Sequence, residues 1–266
     1  MTMIIAGYLA SVLIGISLGL IGGGGSILTV PVLVYLFGID PVSATADSLF
    51  IVGITSAVGS VTYFKKRLVH VRTAIVFGIP SIGAVFLTRA YILPFIPETV
   101  FSIADMEVTK GILLMLLFAV LMLLASYNMI KGKRKPAGSH VLGPQVHYLP
   151  LMMQGAFIGL ITGLVGAGGG FLIIPALVNL QKLPVKTAIG TSLVIISVNS
   201  LLGFLFSLNH NPVQWGLLAG IAFIAVAGIL IGSYLSGKVN GTLLKPAFGW
   251  FVLVMGVYIL VKEITR

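Results

Sequence analysis

The chain has 266 residues, of which 58% are hydrophobic and 8% charged, and its mean hydropathy is +1.14. Soluble domains carry about 25% charged residues, so this composition excludes a water-soluble fold. The formal charge of +10 is then no nucleic-acid signature, and the absence of cysteine excludes a disulfide framework, thiolate chemistry and a Cys-ligated metal.

Apolar segments run over residues 4–37, 42–63, 73–93, 111–130, 149–180, 187–208, 213–235 and 246–261. A helix needs about 20 residues to cross the hydrocarbon core, and most segments fit one crossing. The first has no basic n-region before it and reads as mature protein rather than a signal peptide. The first and fifth are too long for one crossing and too short for two. Each is interrupted near its middle, by Gly22, Gly23, Gly24, Gly25 and Ser26 in one case and by Gly166, Ala167, Gly168, Gly169 and Gly170 in the other. Glycine costs about 1 kcal/mol against alanine in a helix, so each run predicts a helix break. The half-helices that follow are expected to begin near Ser26 and Phe171.

The two breaks are in register. At a constant offset of 144, 16 of the 43 positions from Gly19 to Val61 are identical, among them Pro31/Pro175, Ala44/Ala188, Ser48/Ser192, Ser56/Ser200 and Gly59/Gly203. Two residues drop out in the next loop, after which Val71 and Gly78 match Val213 and Gly220. The expectation is an all-α integral membrane protein of two homologous halves: residues 1–130, a cytoplasmic connecting loop at 131–147, and residues 148–266. Each half holds one broken segment and three transmembrane helices.

A broken segment that crosses the membrane gives a parallel repeat; one that re-enters gives an inverted repeat. Lys65, Lys66, Arg67 and Arg72 form one basic loop and Lys131, Lys133, Arg134 and Lys135 another, both cytoplasmic by the positive-inside rule. Leaving out Arg89, the parallel arrangement puts ten basic residues inside and five outside, whereas the inverted one puts twelve inside and three outside. The inverted arrangement fits the rule better.

Matched helix interruptions are the best sequence pointer to a transporter's substrate site. Free N–H groups and the helix dipole at a half-helix start favour an anion, and glycine lets the backbone approach it. The competing reading is that the glycines serve only close helix packing. Ser48, Ser56, Thr191, Ser192 and Asn199 follow the breaks and supply neutral donors for an oxyanion. Helix–helix hydrogen bonding is the alternative. Asp47 is an acid within an apolar stretch. It relays a proton, pairs with a coupling cation, or sits near a helix start at the interface. Arg89, near the end of the third segment, reads as snorkelling to the interface. The histidines lack metal-ligand spacing, no cofactor or metal is expected, and the missing acid–base constellation counts against an enzyme.

The motif Gly166-Ala167-Gly168-Gly169-Gly170 through Pro175, with Pro184, Ala188, Thr191, Ser192 and Leu193, resembles the TauE/SafE sulfite exporter family, also described as toluene sulfonate uptake permeases. The first half departs from the pattern at Ser26 and Asp47. The resemblance covers essentially the whole chain. It implies a multi-pass protein of the bacterial inner membrane that moves a small sulfur anion, such as sulfite, thiosulfate or an organosulfonate. Its partners are the anion, membrane lipid and a coupling proton or cation. The alternatives are a carrier for a non-sulfur carboxylate, a carrier for a cation held at Asp47, or a non-transporting intramembrane protein. The oligomeric state is not legible.

The charge pattern makes the first prediction. A single cysteine at position 138 should resist membrane-impermeant reagents applied from outside. Cysteines at both chain ends should react from outside for an inverted repeat and stay protected for a parallel one.

Overall fold

The structure is a computed structural model describing residues 2–103, 106–131, 148–179, 181–208, 213–236 and 241–265. The expected connecting loop lies outside the described residues from position 132 to 147, as do His140, His147 and His210.

In the first half, α1 (Thr2–Ile21) leads into a 3-10 turn (Gly23–Leu28), α2 (Thr29–Tyr35), α3 (Pro41–Lys65) and α4 (Val71–Leu87). A π turn (Thr88–Ile92) carries α4 into the short α5 (Leu93–Phe95). An antiparallel hairpin of β1 (Thr99–Ile103) and β2 (Met106–Thr109) follows, then α6 (Lys110–Lys131). The hairpin is a small departure from the all-α expectation, in a stretch bearing Val100, Phe101 and Val108 and so suited to extended pairing. In the second half, α7 (Tyr148–Val165) and α8 (Gly170–Asn179) flank the break, followed by α9 (Val185–Ser207), α10 (Trp215–Leu235) and α11 (Gly241–Ile264).

Local chemistry sets several starts. Asp40 caps α3, its carboxylate accepting from Val42 N at 2.9 Å and Ser43 N at 3.3 Å, with Pro41 at the first helical position. His70 caps α4 by accepting from Thr73 N at 3.3 Å. Among the described residues, six helices are long and apolar enough to cross a membrane: α3, α4 with its continuation to Phe95, α6, α7, α9 and α10. Phe95, Phe223, Tyr234 and Trp250 are exposed on the outside of the bundle, where lipid rather than water would cover them.

Glycines reveal how the helices run. A Cβ on Gly15 would meet Ala225 and Gly228, and one on Gly19 would meet Ile229 and Gly232, so α1 and α10 run parallel. Gly155 faces Phe77, Gly159 faces Ser81 and Gly163 faces Thr88, so α7 and α4 also run parallel. In contrast, Gly203 packs on Leu49 and Gly59 on Leu193, so α3 and α9 run antiparallel. Gly249 lies by Ile130 and Gly256 by Met122, which makes α6 and α11 antiparallel too. The first and third long helices of one half thus pack on the third and first of the other. Such close approach of backbones is the membrane mode of helix association.

The first broken segment folds back on itself. Gly25 lies against Ile14 and Leu18, and the Phe37 ring lies against Gly7. In the second, Gly169 lies against Thr162 and Ile158 of α7. Ile14, Leu18, Leu33, Leu49, Leu193 and Ile229 belong to the main buried cluster, which wraps the first hairpin and spans both halves.

Gly232→Val should destabilise the α1–α10 pair, because a Cβ there would strike the Ile16 carbonyl. Overpacking of this kind costs about 1–3 kcal/mol. Gly83→Ala, where nothing lies within 4 Å, should be neutral or slightly stabilising in the same thermal melt of purified protein.

Candidate functional site

The two breaks meet inside the bundle. A Cβ on Gly23 would collide with the Gly170 backbone, and one on Gly170 with the Cα of Gly23. Gly22, Gly23, Gly24, Gly25, Ser26, Gly166, Gly168, Gly169 and Gly170 are all buried. A break inside a membrane must face a cavity or pack on protein, and here it packs on protein. Two apolar hollows lie away from it. One of about 310 Å³ is lined by Val71, Ile75, Ile79, Val194, Val198 and the candidate Asn199, and one of about 590 Å³ by Tyr91, Phe95, Val100 and Leu113.

The breaks differ in detail. Left-handed φ values occur at Gly22 (78°) in the first and at Gly166 (74°), Gly168 (65°) and Gly169 (65°) in the second. After Gly22 the chain enters the 3-10 turn at once, and α2 starts only at Thr29. Ser26 therefore does not sit at a half-helix start as expected; it lies within that turn and donates to Gly23 O at 2.7 Å. A 3-10 turn rises faster per residue than an α-helix and carries the return arm away from its tip in few residues. The second half-helix, α8, begins at Gly170, one residue before the expected Phe171.

Ser48 joins α3 to the second break: its hydroxyl contacts Gly166 O at 2.5 Å and Thr45 O at 3.0 Å. Ser200 of α9 lies beside Gly168, where a Cβ would come within 2.9 Å of the serine hydroxyl. The hydroxyls of Ser200 and of its counterpart Ser56 are buried without a hydrogen-bond partner. Other candidates point elsewhere. Thr191 accepts from His70 N at 2.9 Å, at the start of α4. Ser192 donates to Ile189 O of its own helix at 2.8 Å. Asn199 donates through Nδ2 to Ser81 of α4 at 2.6 Å, leaving its Oδ1 unpartnered. The structure thus gathers Ser48 and Ser200 at the second break and turns Thr191 and Asn199 toward α4.

Asp47 is buried, and no hydrogen bond or ion pair reaches it among the described residues. Successive helix positions are about 100° apart, so Asp47 projects from a different side of α3 than Ser48. Among the described residues no three His, Asp or Glu side chains cluster as a metal site would require.

Arg89 corrects the sequence reading. It does not snorkel: it is 2% exposed. Nη1 donates to Thr45 Oγ1 at 3.1 Å and Nη2 to Thr45 O at 3.2 Å, while Nε has no partner. The helix does not end nearby, as proximity to Pro94 suggested. It continues through the π turn, so Arg89 stays inside and faces α3. A cation in an apolar run without a neighbouring acid was the available signal. The partner, 44 residues away in sequence, was not visible.

Backbone strain and close contact at these glycines are separable. Gly38 also has a left-handed φ, 70°, with nothing within 4 Å. Gly38→Ala should lose only the left-handed penalty, about 1–2 kcal/mol. Gly166→Ala should lose more, because its Cβ would also strike the Thr45 carbonyl. Equal losses in thermal unfolding would show that the Gly166 contact is slack.

The chain matches the family described as Sulfite exporter TauE/SafE over residues 7–259. A protein of Xylella fastidiosa (strain Temecula1) named "Probable membrane transporter protein" is 29% identical, covering 93% of this chain and 91% of its own length. A similarly named protein of Methanocaldococcus jannaschii is 28% identical over 97% of this chain and 94% of its own. A third, from Bacillus subtilis, is 28% identical over 83% and 82%. No solved structure matches. With six apolar helices of spanning length and a match along nearly its whole length, the chain belongs to the TauE/SafE sulfite exporter family and is a multi-pass transporter of the cell membrane, not an enzyme.

Proposed function

We propose that the protein exports a small sulfur-containing anion, such as sulfite, thiosulfate or an organosulfonate, by alternating access. The observation that carries this reading is the meeting of the two glycine breaks at Gly23 and Gly170. Backbone donors freed by the breaks lie where neither half alone encloses them. The packed arrangement corresponds to an occluded state, and the anion enters when one hairpin tip withdraws from the other. Ser48 and Ser200 border the second break, and Gly22 to Ser26 form the first. Ser56 of α3, whose hydroxyl has no partner, supplies a further neutral donor, whereas Ser192, Thr191 and Asn199 of α9 would join only by leaving Ile189, His70 and Ser81.

The halves form an inverted repeat in this proposal. The antiparallel courses of the equivalent pairs α3 with α9 and α6 with α11, and the fold-back of the first segment, all support it. The charge distribution points the same way. An inverted repeat lets one rocking motion open the site to either face.

Asp47 is proposed as the coupling group. Its burial without a partner favours a proton or cation role, and a carboxylate repels an anion of its own sign. Because its counterpart is Thr191, the two halves would contribute unequally to coupling.

Flux of sulfite, thiosulfate, sulfoacetate, taurine and lactate in proteoliposomes tests the reading. Sulfur oxyanions should move and lactate should not. Flux of lactate alone would replace the substrate class, and a protein that moves none of the five would fall outside the proposal. Ser48→Ala should weaken thiosulfate binding about fivefold, corresponding to about 1 kcal/mol for one neutral hydrogen bond. Asp47→Asn should flatten the pH profile of transport and leave binding measurable. Loss of binding at every pH in a folded Asp47→Asn protein would overturn the coupling role.

A further inference from the structure

We infer that Arg89 is the fixed positive charge that binds the transported oxyanion at the Gly166 end of the second break, an assignment that rests on the proposed anion transport. A guanidinium has five N–H donors and no acceptor. Here, among the described residues, Thr45 alone receives its hydrogen bonds, through its hydroxyl and its carbonyl. Nε is left buried without a partner. No carboxylate forms an ion pair with Arg89 among the described residues, and Asp47 projects from another side of α3. An uncompensated charge inside a membrane protein is expensive. A protein that retains one has a use for it in some state of its cycle, and the missing counter-charge is what an anionic substrate brings.

The position fits. Thr45 is the residue on which Gly166 packs, and Ser48, three residues along the same helix, contacts the Gly166 carbonyl. The guanidinium therefore borders the break at its Gly166 end. The π turn Thr88–Ile92 brings it there. Such turns insert an extra residue and redirect side chains, frequently at functional sites. Moving Gly166 away from Thr45 would uncover the guanidinium and the amides of the second break together. A planar fork of N–H groups matches an oxyanion with two or more oxygens on one centre, as in an –SO₃⁻ group, better than a spherical halide.

The charge is single. At the offset of 142 that holds after the gap, Arg89 corresponds to Ile231, which is 49% exposed on the lipid-facing side of α10. The two breaks are thus chemically unequal. The second carries the charge for the anion, and the first serves as its neutral counterpart.

The test uses the purified full-length protein with thiosulfate, sulfite and methanesulfonate as probes. Thermal midpoints and binding of radiolabelled thiosulfate are read in the wild type, Arg89→Lys and Arg89→Gln. Arg89→Gln should weaken binding at least tenfold, as expected for loss of a charged hydrogen-bonding group, and Arg89→Lys should weaken it less. Undiminished binding in Arg89→Gln overturns the assignment and leaves the transport reading standing. A wild type that responds to none of the three anions overturns both. Should neither variant fold, the wild type is treated with phenylglyoxal and the peptide bearing Arg89 is analysed by mass spectrometry. Modification that thiosulfate suppresses supports the assignment. Equal modification with and without thiosulfate, or none in either condition, overturns it, because a residue that meets an aqueous anion must be reachable from water.

Discussion

Backbone groups cannot be left facing lipid, and the whole arrangement depends on that constraint. Two glycine runs free N–H and C=O groups deep in a chain with few polar side chains to cover them. The fold answers by pressing the runs together. Gly23 and Gly170 touch, the Gly166 carbonyl contacts Ser48, and Gly22 is covered by Ile174 and Ile189. Each contact needs a missing Cβ, a left-handed backbone or both. The antiparallel pair α3 and α9 flanks this junction, and the parallel pairs α1–α10 and α4–α7 hold the hairpins in place around it.

In the proposed cycle, electrostatics divides the site into separate functions. Among the described residues Lys110 and Glu263 are buried near helix ends, whereas Arg89 and Asp47 are buried well within the helical bundle, facing different sides of α3. A direct ion pair would satisfy both and silence both. Held apart, the cation is available to an anion and the carboxylate to a proton or cation, so that binding and coupling in the proposed cycle need not compete for one group.

Much of this was written in the sequence as repetition. The offset of 144 located both breaks and the pairs Ser48/Ser192 and Ser56/Ser200, because duplication preserves spacing whatever the fold. Composition gave the membrane class, and the motif around Gly168 and Pro175 gave the family. What could not be read depends on contacts between distant residues. Ser26 looks like a helix start, yet the local choice of a 3-10 turn moves that start to Thr29. Arg89 looks interfacial because a proline follows it, yet the π turn prolongs the helix and Thr45 receives the guanidinium. Thr191 and Asn199 sit in the expected stretch of α9, yet His70 and Ser81 of α4 engage them. Periodicity tells which residues share a face, but not which neighbour that face will meet.

The exchange of partners between the halves also bears on how the molecule is made. Gly15 and Gly19 of α1 are shaped to receive Gly228 and Gly232 of α10, which leave the ribosome only after the whole first half and after α7 and α9. Until then the first hairpin lacks its principal neighbour, while α7 finds α4 already in place. Assembly is therefore unequal in time although the halves are alike in plan: the second hairpin docks as it is made, and the first must wait for the chain to supply the surface it fits. A half released alone would display a glycine-lined groove that only the other half, or a second copy of itself, could fill. The covalent link between the halves fixes their ratio at one to one and keeps that groove from finding the wrong occupant.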